Sequence, residues 1–221
     1  MNYVTDDTMN AYLRSVQPMY DGVLGEIQKE AIAAEVPIVP PEVARLLSVL
    51  LTMQKPKNIL EIGTAVAFSA GLMCRYLPEE GTVTTIDRYE VMLKDARVNI
   101  KRMGLEDKIK ILEGDAADIL PTLEGPYDVI FMDAAKGQYI NFMPEIMRLL
   151  KTGGTLVSDN VLQDGDIIES HYAVTRRNRT IYKRMREYLY ELTHRDDLVT
   201  AVLPVGDGIT VSTKVEENER D

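Results

Sequence analysis

Two short polar stretches, Asp133-Ala-Ala-Lys136 and Asp159-Asn160, lie about two dozen residues apart, and each closes an apolar run. The runs YDVIFMDA and GGTLVSDN read as buried strands, so two carboxylates, one amide oxygen and one amine fall at strand ends. In an open parallel sheet the crevice outside the carboxyl ends of the strands is where ligands bind. Two carboxylates with an amide oxygen make a hard, all-oxygen donor set of the kind Mg²⁺ prefers, with positions left for water and substrate oxygens. An amine beside that set is a candidate proton acceptor, provided it sheds its own proton for part of the cycle. The competing reading of Lys136 is a simple ion pair with Asp133, and that of Asp159-Asn160 is a strand end entering a turn.

Those strand ends need a sheet to hold them. Apolar runs NILEIG, TVTTID, KIKILEGD, YDVIFMDA and GTLVSDN alternate with segments of helical spacing, which predicts a doubly wound parallel sheet with right-handed crossovers. TAVLPV and GITVSTK, separated by Gly206-Asp207-Gly208, predict an antiparallel hairpin at one edge. Residues 6–35 have helical spacing, VPIVPPEV breaks it with three prolines, and PPEVARLLSVLLTM restarts a helix with Val43, Leu46, Leu47 and Leu50 on one face. One domain is expected over residues 1–221: a helical segment at 1–57, an α/β core at 58–214 and a frayed tail at 215–221.

Composition excludes several classes. The chain has 221 residues, is 45% hydrophobic and carries a net charge of -10, which argues against wholesale electrostatic binding of nucleic acid. Cys74 is its single cysteine, so no internal disulfide can form. The N-terminal sequence lacks a basic start and an apolar core, and no apolar stretch approaches the ~20 residues a membrane span needs. A soluble cytoplasmic protein with no membrane partner is the simplest expectation.

The turn after the first strand, Glu61-Ile62-Gly63-Thr64-Ala65-Val66-Ala67-Phe68-Ser69, is not the GxGxxG fingerprint of a dinucleotide site. That disfavours a nicotinamide-dependent oxidoreductase. Asp87 ends the second strand about two dozen residues beyond Gly63, where a carboxylate can accept from ribose hydroxyls, so an adenosine-type cofactor is expected. Gly114-Asp115-Ala116 offers a further carboxylate for an exocyclic amine.

Taken with DAAK and DN, these residues resemble the S-adenosylmethionine-dependent O-methyltransferases that include the cation-dependent caffeoyl-CoA and catechol enzymes, over about residues 36 to 214. The stretches EVPIV, ILEIGTA, YDVIFMDAAKGQY, SDNVL and LPVGDG look most like the bacterial tRNA 5-hydroxyuridine methyltransferase branch. The resemblance implies a Rossmann-like fold with a seven-stranded sheet and a homodimer with the N-terminal helices as the candidate contact. It implies S-adenosylmethionine contacts at Val39, Gly63, Ser69, Asp87, Asp115, Ala116 and Asp133. It implies Asp133, Asp159 and Asn160 as ligands of Mg²⁺ or another divalent cation, and Lys136 as general base. Ala67 stands where many relatives carry glycine.

The acceptor is the less determined half. Asp164, Gly165 and Asp166 read as a loop over the site, and the segment after it as a helix with an apolar side of Ile181, Met185, Leu189 and Leu192. Arg176, Arg179, Lys183 and Arg186 recur on another side, flanked by Arg177 and Arg184, a stripe suited to tRNA phosphates. Tyr172 and Tyr182 could stack on bases. The plainer reading of the stripe is a solvated helix face. The tRNA reading makes 5-hydroxyuridine the acceptor and 5-methoxyuridine the product, and a catechol-like or caffeoyl-CoA-like phenol is the alternative. A non-catalytic RNA-binding module would need the stripe but not Asp133, Lys136, Asp159 and Asn160.

Overall fold

The computed structural model describes residues 7–170 and 172–216. The tail VEENERD therefore lies almost wholly outside the described residues. The fold is α/β with seven strands, and the chain divides into two compact units, Ala11–Thr122 and Leu123–Asp221, the second also taking in the chain before Ala11.

Helix α1 (Asp7–Ser15), which crosses the unit boundary at Ala11, and helix α2 (Gly22–Ala33) of the first unit replace the single expected N-terminal helical run. The break falls where Pro18 removes a backbone donor. Helix α3 (Pro41–Gln54) starts with Pro41 in its first turn, where a missing N–H costs nothing. It buries Val43, Ala44, Leu47 and Leu51, leaving Leu46 and Leu50 half-covered. Strand β1 (Asn58–Ile62), helix α4 (Phe68–Cys74), strand β2 (Thr82–Asp87), helix α5 (Glu90–Met103), strand β3 (Ile109–Glu113) and the short helix α6 (Ala116–Ile119) follow as alternating units. β2 pairs in parallel with both β1 and β3, so Asp87 and Glu113 end level and Ile62 ends one residue earlier, opposite Ile86.

In the second unit, β4 (Tyr127–Met132) pairs in parallel with β5 (Leu150–Asp159) through helix α7 (Tyr139–Leu149). After helix α8 (Arg179–His194), strands β6 (Leu198–Leu203) and β7 (Ile209–Lys214) form the expected antiparallel hairpin, and β7 lies antiparallel to β5. The run β4-β5-β7-β6 thus ends in an antiparallel edge. The last β4–β5 pair is Met132 with Ser158, one residue short of Asp133 and Asp159, so both carboxylates stand just past the ladder. No helix among the described residues is long and apolar enough to cross a membrane.

Candidate active site

In the first unit the strand-end residues come together around the turn after β1. Gly63 has φ 110° and donates its N–H to the Ile86 carbonyl, a left-handed backbone that glycine adopts without strain. Ala65 and Ala67 also take positive φ, 43° and 62°. Alanine at 67 takes this left-handed conformation in a fully buried position, at a cost of about 1–2 kcal/mol.

Asp87 organises this turn. Its Oδ2 accepts from the N–H groups of Thr64 and Ala65 at 3.1 and 3.0 Å, and its Oδ1 from Tyr89 N at 3.0 Å. A carboxylate offers about four accepting directions, so three are filled from the backbone and one remains on Oδ1. That leaves room for a further donor such as a ribose hydroxyl. Beneath the turn, Thr64, Thr85 and buried Glu61 form a hydroxyl-to-carboxylate chain of 2.7 and 2.5 Å.

Asp115 caps α6 by accepting from Ala117 N at 2.9 Å and pairs with Arg88 at 2.7 Å. The Ala117 N–H, with Arg88 beside it, holds its carboxyl below the usual carboxylate range. Gly114 donates to the Asp87 carbonyl, which brings Asp115 and Ala116 beside the end of β2. Ser69 is buried in the first turn of α4, and Val39 is buried in the segment ahead of α3 rather than at a strand end.

The second unit brings Asp133, Lys136, Asp159 and Asn160 together and adds Asp207. Asp159 is 1% exposed, and its Oδ1 accepts from Asn160 N at 2.8 Å. Burial, then the charge of Asp133, push its carboxyl up to about 7, with Asp207 adding to the rise and Lys136 opposing it. Asp133 is also held above the usual range, by burial, with Lys136 again opposing. Asn160 takes φ 56°, a left-handed conformation that asparagine tolerates better than most residues.

Lys136 makes its ion pair with Asp207, Nζ to Oδ2 at 3.4 Å, in place of the Asp133 pair considered from sequence. Asp207 reaches that position because the β6–β7 turn is pinned to the chain after Asn160. Val161 and Leu162 donate to the Gly208 and Asp207 carbonyls, and Gly208, with φ 84°, presses so close to Leu162 that no Cβ fits. The sequence showed Asp207 only as a turn residue.

Tyr139 was also missed. Fully buried at the start of α7, its hydroxyl lies 3.2 Å from the carbonyls of Met132 and Asp159 and 3.2 Å from Ala134 N. Burial raises its phenol far above the ordinary value, so it stays a neutral donor. Its ring meets Tyr188 edge-on at 5.4 Å, and the Tyr188 hydroxyl lies 2.6 Å from Ser158 Oγ.

The basic helix differs from expectation in three ways. Arg176 and Arg177 precede α8, which begins at Arg179. Tyr182 is buried with its hydroxyl donating to the Glu169 carbonyl, so it cannot stack on a base; α8 buries Tyr182, Met185, Tyr188 and Leu192, not Ile181 and Leu189. Three cations hold neighbouring backbone: Arg179 on the Val174 carbonyl, Arg184 on that of Gly137 and Arg186 on that of Ile167. Lys183 pairs with Glu187 one turn on. Arg176 and Arg177 are exposed, and Tyr172 is 87% exposed. The Asp164–Asp166 stretch lies in a 3-10 turn, Gln163–Ile168, where Asp166 accepts from Asn178 at 2.9 Å.

A model of the O-methyltransferase family matches residues 16–215. The chain is 32% identical over 177 residues to a catechol O-methyltransferase of Niastella koreensis, covering 77% of this chain and 80% of that one. It is 32% identical over 186 residues to caffeoyl-CoA O-methyltransferase 2 of Populus trichocarpa, covering 78% and 72%. Among solved structures, a Staphylococcus aureus protein provisionally assigned as a caffeoyl-CoA O-methyltransferase is 32% identical, with a TM-score of 0.86 and 94% and 100% coverage. An O-methyltransferase of Bacillus cereus, solved in complex with SAH, is 26% identical, with a TM-score of 0.82 and 94% and 97% coverage. This chain belongs to the O-methyltransferase family.

Proposed function

We propose that this protein transfers the methyl group of S-adenosylmethionine to one hydroxyl of a catechol-like or caffeoyl-CoA-like phenol, with the aid of a divalent cation such as Mg²⁺. The single observation that carries the reading is the carboxylate pair of the second unit. Burial holds Asp133 and Asp159 above their usual range, and the charge of Asp133 lifts Asp159 further, which marks a site short of positive charge. A divalent cation with oxygen ligands fits that donor set, with Asp133, Asp159 and Asn160 holding it. When bound, it would supply Lewis-acid polarisation of two adjacent acceptor oxygens.

The chain's own groups do the rest. Lys136, neutral for this step, takes the hydroxyl proton on Nζ while the new carbon–oxygen bond forms and the carbon–sulfur bond breaks, leaving a neutral thioether. Asp207 orients the lysine from the β6–β7 turn. The Gly63 turn, Asp87, Asp115 and Ala116 hold the adenosine part of the donor, with Val39 and Ser69 as further contacts. Catechol and caffeoyl-CoA enzymes among the relatives support this acceptor class, and a bound SAH in the Bacillus cereus protein supports the donor.

A tRNA 5-hydroxyuridine presents the same vicinal oxygen pair, and exposed Arg176 and Arg177 favour that second reading. The buried Tyr182 and the internally bonded Arg179, Arg184 and Arg186 weigh against it. Purified protein given labelled S-adenosylmethionine should label a simple catechol with Mg²⁺ present and not with EDTA. Label entering bulk tRNA instead would transfer the assignment to the nucleoside. Undiminished labelling in EDTA would remove the cation from the reaction.

A further inference from the structure

We infer that Tyr139 is a positioning residue whose hydroxyl sets the spacing between Asp133 and Asp159. One oxygen atom touches backbone on both sides of Asp133 and at Asp159 itself: the Met132 carbonyl, the Ala134 N–H and the Asp159 carbonyl, each at 3.2 Å. The β4–β5 ladder stops at the Met132–Ser158 pair, so the hydroxyl takes over as cross-strand link where the ladder ends. The carboxylates branch from the residues it fixes, and a small change in strand-end separation becomes a change in their spacing.

A tyrosine suits the task, because its ring is buried while its tip is polar. Tyr188 braces that ring edge-on at 5.4 Å, with its own hydroxyl beside Ser158 on β5. Tyr139 does not carry a charge to the site and does not touch the reacting atoms. It acts through the two carboxylates, so the inference rests on their reading as cation ligands.

Tyr139→Phe removes the hydroxyl and keeps the ring. Metal-free wild type and variant would be titrated with Mn²⁺ alone, free ion being read by electron paramagnetic resonance, and with SAH by calorimetry. Mn²⁺ affinity should fall about 10-fold or more, the usual size for groups that orient metal ligands, with SAH affinity unchanged. Tyr188→Phe, which deletes the buried hydroxyl of the neighbouring tyrosine on α8, should leave Mn²⁺ affinity alone. Equal Mn²⁺ binding by wild type and Tyr139→Phe would overturn the inference while leaving the cation reading intact. Equal weakening by Tyr188→Phe, or parallel loss of SAH affinity, would overturn it as general loosening. A wild type that binds no Mn²⁺ would overturn the cation reading itself and this inference with it.

Discussion

Both units end their strands in carboxylates, yet they treat them in opposite ways. In the first, Asp87 receives three backbone N–H groups and Asp115 receives one plus Arg88, so charge is met by donors the chain already owns. In the second, burial drives Asp133 and Asp159 up and the charge of Asp133 adds to the rise at Asp159, with Lys136 as the opposing cation and its ion pair turned to Asp207. Donor-satisfied acids shape a loop and offer a leftover lone pair to a neutral ligand. Donor-poor acids place two negative charges where only an added cation makes them comfortable. The residue type alone, aspartate at a strand end, does not distinguish these roles; its partners do.

The contrast breaks most visibly at Asp159. Asp159→Asn should cut cation-dependent methyl transfer on the order of 1,000-fold, the several kcal/mol expected of lost Lewis-acid assistance, without changing SAH affinity. The same change should stabilise the protein in EDTA. The wild-type carboxyl titrates near 7 when folded, against roughly 3.9 when unfolded. Below about pH 4 it is protonated in both states and its contribution is fully present. As pH rises toward 7 the unfolded chain ionises first, so that stability is lost, and it stays lost above. The variant's advantage in thermal melts should therefore grow from pH 4 to 7 and then level off. A variant that melts lower than wild type at pH 8 would show that Asp159 is well compensated and erase the contrast.

Asp87→Ala tests the other side. Losing charge-assisted hydrogen bonds worth about 1.5–3 kcal/mol each should relax the Gly63 turn and weaken SAH binding by about 10- to 100-fold in calorimetry. Mn²⁺ affinity should be untouched. If cation binding fell in parallel, the two sets of carboxylates would not be serving separate ligands.

Much of this was legible in the sequence, and what was not has identifiable causes. Strands such as YDVIFMD and TLVSD are continuous apolar runs bounded by polar residues, so their ends, and the carboxylates on them, could be placed without coordinates. Tyr139 could not, because its role depends on a hydroxyl meeting carbonyls 7 and 20 residues away. Asp207 looked like a turn former because its distance from Lys136, 71 residues, is closed only by the β5–β7 pairing and the contact of Gly208 with Leu162. On α8, helical spacing located an apolar side correctly at Met185 and Leu192. It offered Tyr182 to a base and left Tyr188 unassigned, because a tyrosine can bury its ring and still satisfy its tip.

The smallest effect sharpens the comparison most. Asp115 combines a helix-capping role with a proposed contact to the cofactor, and two substitutions separate these. Asn keeps an oxygen for Ala117 N, whereas Ala removes it and should cost about 0.5–2 kcal/mol in thermal melts. Because the folded carboxyl lies below its ordinary value, its contribution is present above roughly pH 3.9 and lost as pH falls through the folded value. The melting difference between wild type and Asp115→Ala should therefore shrink in acid, opposite in sign to the trend expected at Asp159. Asp115→Asn should melt close to wild type at neutral pH, since the ion pair it gives up with Arg88 is well exposed and such pairs contribute little. If the two carboxylates instead shifted stability in the same direction with pH, donor supply would not be what separates the two units.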